Sequence, residues 1–119
     1  PESRRVRELF NQFMMLVERD YRLSRDVSYY ARELSITPKY LTMIVRQITN
    51  ETPKKIIDHY TILQLRLQLS AGQQSMKQIA CEYHFSDTSF FCRYFRRHTG
   101  QSPMGLRGVH GTDGAPTNP

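Results

Sequence analysis
The stretch that decides the fold runs from Ile79 to Pro103, IACEYHFSDTSFFCRYFRRHTGQSP. Ser75, just upstream, is a good helix cap, and the short apolar segment after it reaches to about Tyr83. Asp87 is placed to cap a second helix, which Gly100 ends, and Ser102-Pro103 starts another. About fifty residues upstream the same punctuation occurs. VSYYARELSIT at 27–37 lies over MKQIACEYHFS at 76–86, pairing Tyr30 with Ile79, Ala31 with Ala80, Glu33 with Glu82 and Ile36 with Phe85. After one inserted residue, YLTMIVRQITNETP at 40–53 lies over FFCRYFRRHTGQSP at 90–103. That pairing sets Tyr40 on Phe90, Leu41 on Phe91, Val45 on Phe95, Arg46 on Arg96 and Pro53 on Pro103.

A repeated short helix, tight turn and capped helix is the helix-turn-helix signature. Ala31 and Ala80 are small where two helices must cross closely, and Ile36 and Phe85 plug the angle from the turn. In such a corner the first helix braces, and the second enters the major groove with its N-terminal residues on base edges.

The rest of the chain arranges itself around these corners. Residues 2–21 form an amphipathic helix with Val6, Leu9, Phe10, Phe13 and Val17 on one side. Thr37 caps a helix that opens with Pro38, and Asn50 suits its left-handed end. Thr52-Pro53 opens a long linking helix to about Ala71, stopped by Gly72, with Ile56, Tyr60, Leu63 and Leu67 as its expected buried stripe. No segment alternates long enough for a strand. The expected fold is all-α with about seven helices, two helix-turn-helix subdomains at about 27–50 and 75–100 joined by the linking helix at about 52–71. Residues 108–119, GVHGTDGAPTNP, read as a disordered tail after a domain spanning 1–107.

The charge balance points to an acidic partner. Seventeen basic residues stand against 11 acidic ones, a net +6, and thirteen of the seventeen are arginine. Arginine's planar fork suits phosphate and guanine edges. Residues 27–50 hold Arg32, Lys39 and Arg46 against Glu33, and residues 87–107 hold Arg93, Arg96, Arg97 and Arg107 against Asp87. The excess thus falls on the two corners. A chain of 119 residues can bury about two-thirds of its unfolded surface, enough for a core without staples. No run is apolar and long enough to span a membrane, and two cysteines cannot frame a disulfide scaffold, which fits a reducing cytoplasm.

Catalytic and metal constellations are absent from the pattern. Cys81, His84, Cys92 and His98 invite a zinc reading, but Cys92 and His98 lie about 240° apart on a helix and diverge. No serine-histidine-acid set has a glycine elbow, and no glycine loop cradles a phosphate. The expectation is a non-enzyme without metal or cofactor.

The run from Ile79 to Pro103 resembles the signature of AraC/XylS-type bacterial transcription regulators, IA…GF.D.S.F.R.F.….G.SP, and the similarity extends over roughly residues 6–107. Such regulators join a DNA-binding domain of this size to an effector-sensing or dimerising domain. The resemblance therefore implies the reading head of a longer regulator, dimerising through a domain absent from this chain and contacting RNA polymerase if it activates. Two departures stand out: the family commonly has glycine in each turn, where this chain has Ser35 and His84, and Asn50 replaces a frequent glycine.

The expected DNA-facing residues follow from helical spacing. In the second reading helix Phe91, Tyr94, Phe95 and His98 point inward, and Thr88, Ser89, Cys92, Arg93 and Arg96 point out. Arg93 is the first choice for a bidentate guanine contact, Thr88 and Ser89 for base or phosphate, and Arg96 and Arg97 for phosphate. The resemblance implies base contacts at Thr88, Ser89 and Arg93. In the first reading helix Leu41, Ile44, Val45 and Ile48 are expected inside and Lys39, Thr42, Met43 and Arg46 outside. Lys39 and Arg46 suit phosphate or guanine, and Thr42 and Met43 a thymine methyl. The competing roles are a Met43 half-buried against the linking helix and an Arg93 paired with Asp87 or Glu82. For the whole chain, the expected partner is double-stranded DNA; the alternative is a basic helical module on an acidic protein or membrane surface.

Overall fold
The computed structural model describes residues 2–111. Seven helices make up the regular secondary structure among the described residues: α1 (Glu2–Asp20), α2 (Val27–Glu33), α3 (Pro38–Thr49), α4 (Pro53–Ala71), α5 (Met76–Glu82), α6 (Thr88–Thr99) and α7 (Pro103–Gly111). The fold is all-α, and none of these helices is long and apolar enough to cross a membrane. The chain divides into two compact units between Thr61 and Ile62, within α4.

In the first unit, α1 packs across α3 and α2. Phe13, Val17, Tyr30, Ala31, Leu41, Val45 and Ile57 form its core, with Val6, Leu9 and Ile44 clustered beside it. The α1–α2 junction is braced by charge. Arg19 reaches Asp20 through Nε and Nη2, both at 2.8 Å, and the Tyr29 hydroxyl donates to the same carboxylate at 2.5 Å. The Arg19 guanidinium, aided by Tyr29, holds Asp20 below the usual carboxylate range. Sharing that carboxylate pushes Tyr29 up.

In the second unit, Leu65, Leu69, Ile79, Tyr83, Phe91 and Phe95 are wholly buried. Gln68 ties α4 to α5: its amide donates to Glu82 at 2.8 Å and its carbonyl accepts from the Tyr83 hydroxyl at 2.8 Å. Arg107 turns inward from α7 and donates to the carbonyls of Leu69 and Gln74.

Three expectations need correction. The buried stripe of α4 is Ile57, Thr61, Leu65 and Leu69, each 0% exposed, whereas Leu63 and Leu67 are 47% and 62% exposed. Thr61 interrupts the apolar pattern and hides this stripe; its hydroxyl donates to the Ile57 carbonyl at 2.8 Å, so burial leaves no orphaned donor. Ile48 and His98, expected inside, are both exposed. They occupy the same place in the two corners, on the last turn, just before each helix ends on the left-handed Asn50 or Gly100. Finally, α7 continues to Gly111, past the start expected for the tail at residue 108. Ser102 nucleates it by accepting from the Gly105 N–H, and Leu106 anchors it by burial. The remainder of that tail, residues 112–119, lies outside the described residues.

Candidate nucleic-acid interface
Each corner closes with the same hydrogen bonds. The Ile36 N–H reaches the Ala31 carbonyl at 3.0 Å and the Ser35 N–H reaches that of Arg32 at 3.0 Å. In the second corner Phe85 reaches Ala80 at 2.9 Å and His84 reaches Cys81 at 3.1 Å. This pair of bonds is the Schellman closure, whose pivot residue adopts the left-handed conformation. Ser35 and His84 are those pivots, with φ of 59° and 58°. Both therefore sit where glycine is favoured, and the turn geometry is kept despite the side chains.

The turn hands the chain to a capped helix. Thr37 accepts from the Tyr40 N–H at 3.0 Å to start α3, and Asp87 accepts from the Phe90 N–H at 2.8 Å to start α6. Both helices end on a left-handed residue, Asn50 at φ 64° and Gly100 at φ 78°. With both ends fixed, the rotation of each helix is set by what it buries. Leu41, Ile44 and Val45 lie inside from α3, and Phe91, Tyr94 and Phe95 from α6, at matching positions. The exposure pattern from residue 41 to 50 repeats, residue for residue, from 91 to 100.

That rotation decides where the expected contact residues lie. Lys39, Met43 and Arg46 are exposed on α3 and Thr42 is half-buried. Thr42 donates its hydroxyl proton to the Pro38 carbonyl at 3.0 Å, so its methyl is the group left for an apolar contact. Met43 is 48% exposed. On α6, Ser89, Arg93, Arg96 and Arg97 are exposed and Thr88 and Cys92 half-buried.

Electrostatically the two arcs are unneutralised. Lys39, Arg46, Arg93, Arg96 and Arg97 form no ion pair among the described residues. The competing pairing of Arg93 does not form: Asp87 caps α6, and Glu82 accepts from Gln68 and Gln74. The ion pairs that exist, such as Arg19 with Asp20 and Lys54 with Asp58, lie away from these arcs. Arg107, counted from sequence with the second basic segment, is instead committed to backbone carbonyls. Arg93, Arg96 and Arg97 remain as outward cations of that segment. The four residues of the zinc reading form no cluster of three or more potential metal ligands among the described residues.

Sequence reasoning passed over Phe90. It is 45% exposed, although its neighbour Phe91 is wholly buried, and the Arg93 guanidinium lies over its ring, 5.8 Å from the centroid. The signal available was the i, i+3 spacing of an aromatic and an arginine.

Residues 30–108 match a family described as a helix-turn-helix domain. The chain is 23% identical over 100 residues to the raffinose operon transcriptional regulatory protein RafR of Pediococcus pentosaceus, a match covering 84% of this chain and 36% of that protein. It is 28% identical over 97 residues to the Msm operon regulatory protein of Streptococcus mutans, covering 82% and 35%. With the HTH-type transcriptional activator RhaS of Escherichia coli it shares 30% identity over 84 residues, covering 71% and 30%. The chain thus spans about a third of the length of these relatives. No solved structure gives a significant match.

Proposed function
The chain belongs to the AraC/XylS-type helix-turn-helix family, and from that premise we propose that it binds double-stranded DNA sequence-specifically as the reading part of a transcription regulator. The observation that carries this reading is the pair of corners closed by the same bonds, each presenting unpaired cations on a capped helix. In this reading α3 and α6 enter successive major-groove segments. Arg93 forks onto a guanine, and Thr88 and Ser89 contact base or phosphate at the start of α6. Arg96 and Arg97 hold phosphates, which fix register without reading sequence. On α3, Lys39 and Arg46 take phosphate or guanine while Thr42 and Met43 meet thymine methyls.

The two arcs carry different side chains, so a single chain reads an asymmetric site. Successive major-groove segments on one face lie about 34 Å apart. A closer spacing of the two helices would bend the duplex at a cost of roughly 1–6 kcal/mol. The names of the relatives as operon regulators support a role in transcription control; contact with RNA polymerase and dimerisation through a further domain belong to the whole protein and are proposed with it.

Selection of bound duplexes from a random pool tests the reading. The expected result is an enriched sequence, with each mismatch at a key base pair costing about 1–3 kcal/mol. Equal binding of enriched and scrambled duplexes would overturn sequence-specific reading.

A further inference from the structure
We propose that Phe90 is a positioning residue of α6, holding the Arg93 guanidinium in place before DNA arrives. The proposal rests on the DNA-reading role assigned to α6 above. Phe90 is 45% exposed on the helix that carries Arg93, three residues earlier, so one turn brings the two side chains together. The guanidinium sits 5.8 Å from the ring centroid, within cation–π range.

The ring is itself anchored. Phe90 packs on Phe85 at 5.9 Å between centroids, and Phe85 stacks on the wholly buried Phe91 at 5.5 Å. A chain of rings therefore runs from the core of the second unit to the arginine at its surface. An ion pair would occupy the fork of N–H donors that a guanine edge needs, but a ring contact leaves that fork available. Holding a long, rotamer-rich side chain beforehand lowers the ordering cost of the bound geometry. The first corner has no such pair. Tyr40 stands in the place of Phe90 and packs on the Val6, Leu9 and Ile44 cluster, and Met43 stands in the place of Arg93. Arg96 and Arg97 have no ring beneath them among the described residues, as suits side chains that follow the phosphate backbone.

A double-mutant cycle tests this on duplexes selected with the unaltered chain. Arg93→Ala identifies the base pair that Arg93 reads. Phe90→Leu is expected to lower discrimination at that base pair by about two- to fivefold, and Phe90→Tyr to retain it. Phe90→Leu should leave discrimination elsewhere and the salt dependence unchanged, and should have no effect once Arg93 is alanine. Thermal unfolding of each variant shows whether the corner stays folded. Undiminished discrimination in Phe90→Leu, or the same loss with and without Arg93, would overturn the positioning role. If the unaltered chain enriches no duplex, the DNA reading itself falls, and this proposal with it.

Discussion

Arg93 and Arg97 lie on the same helix, both exposed and both free of ion pairs among the described residues, yet they are assigned different work. A side chain that forks onto one base carries sequence information; one that holds a phosphate does not. Arg93→Ala should therefore relax preference at a single position. Arg97→Ala should weaken every duplex alike and reduce the slope of log affinity against log salt by about 1. Equilibrium titrations across base-substituted duplexes and salt concentrations separate the two. Ser35 raises a different question at this scale. Its φ of 59° stores strain that a glycine would relieve, partly offset by the glycine's greater freedom when unfolded. Ser35→Gly should raise the stability of the first unit by roughly 0.5–1 kcal/mol, read as a higher unfolding midpoint. Much at this scale was legible: Thr37, Ser75 and Asp87 cap helices because their short oxygens reach N–H groups three residues on. The role of Phe90 was not, because spacing that puts Phe91 inside with Tyr94 and Phe95 does not say that the Arg93 guanidinium settles over the neighbouring ring.

The helices show where periodicity reaches its limit. α1 and the two capped helices have one clearly apolar side, and their core residues follow directly from three- and four-residue spacing. α4 is apolar on several sides, with Ile56, Ile57, Tyr60, Ile62, Leu63, Leu65, Leu67 and Leu69, and a polar Thr61 sits in its buried stripe. Only the packing of neighbouring helices chooses between the competing stripes. Leu69→Ala should accordingly cost about 2–5 kcal/mol, while Leu67→Ala, at 62% exposed, should change stability by no more than about 0.5 kcal/mol in urea unfolding. The α1–α2 junction adds a pH dependence. Because Asp20 is held below its ordinary value in the folded chain, its contribution is present above about pH 4 and is lost as pH falls through the lowered value. Unfolding midpoints should drop below about pH 4 for the unaltered chain, and less steeply for Asp20→Asn.

Over the whole molecule, two corners built alike share one chain and one family signature, and the basic excess is concentrated on them. The repeat was visible in sequence because each corner needs a small crossing residue, an apolar plug and a capping residue at matching positions. Helix rotation was visible only in part, since Ile48 and His98 follow the spacing rule and yet are exposed on the last turn of each helix. Their shared exposure shows that the two corners repeat in packing as well as in sequence. Reading of DNA by both α3 and α6 is open to major-groove footprinting on a selected duplex. Two protected patches are expected on one face of the duplex, about one helical turn or 10–10.5 base pairs apart, with Arg93→Ala clearing contacts in one patch alone. A single protected patch, or protection spread evenly along any duplex, would contradict it.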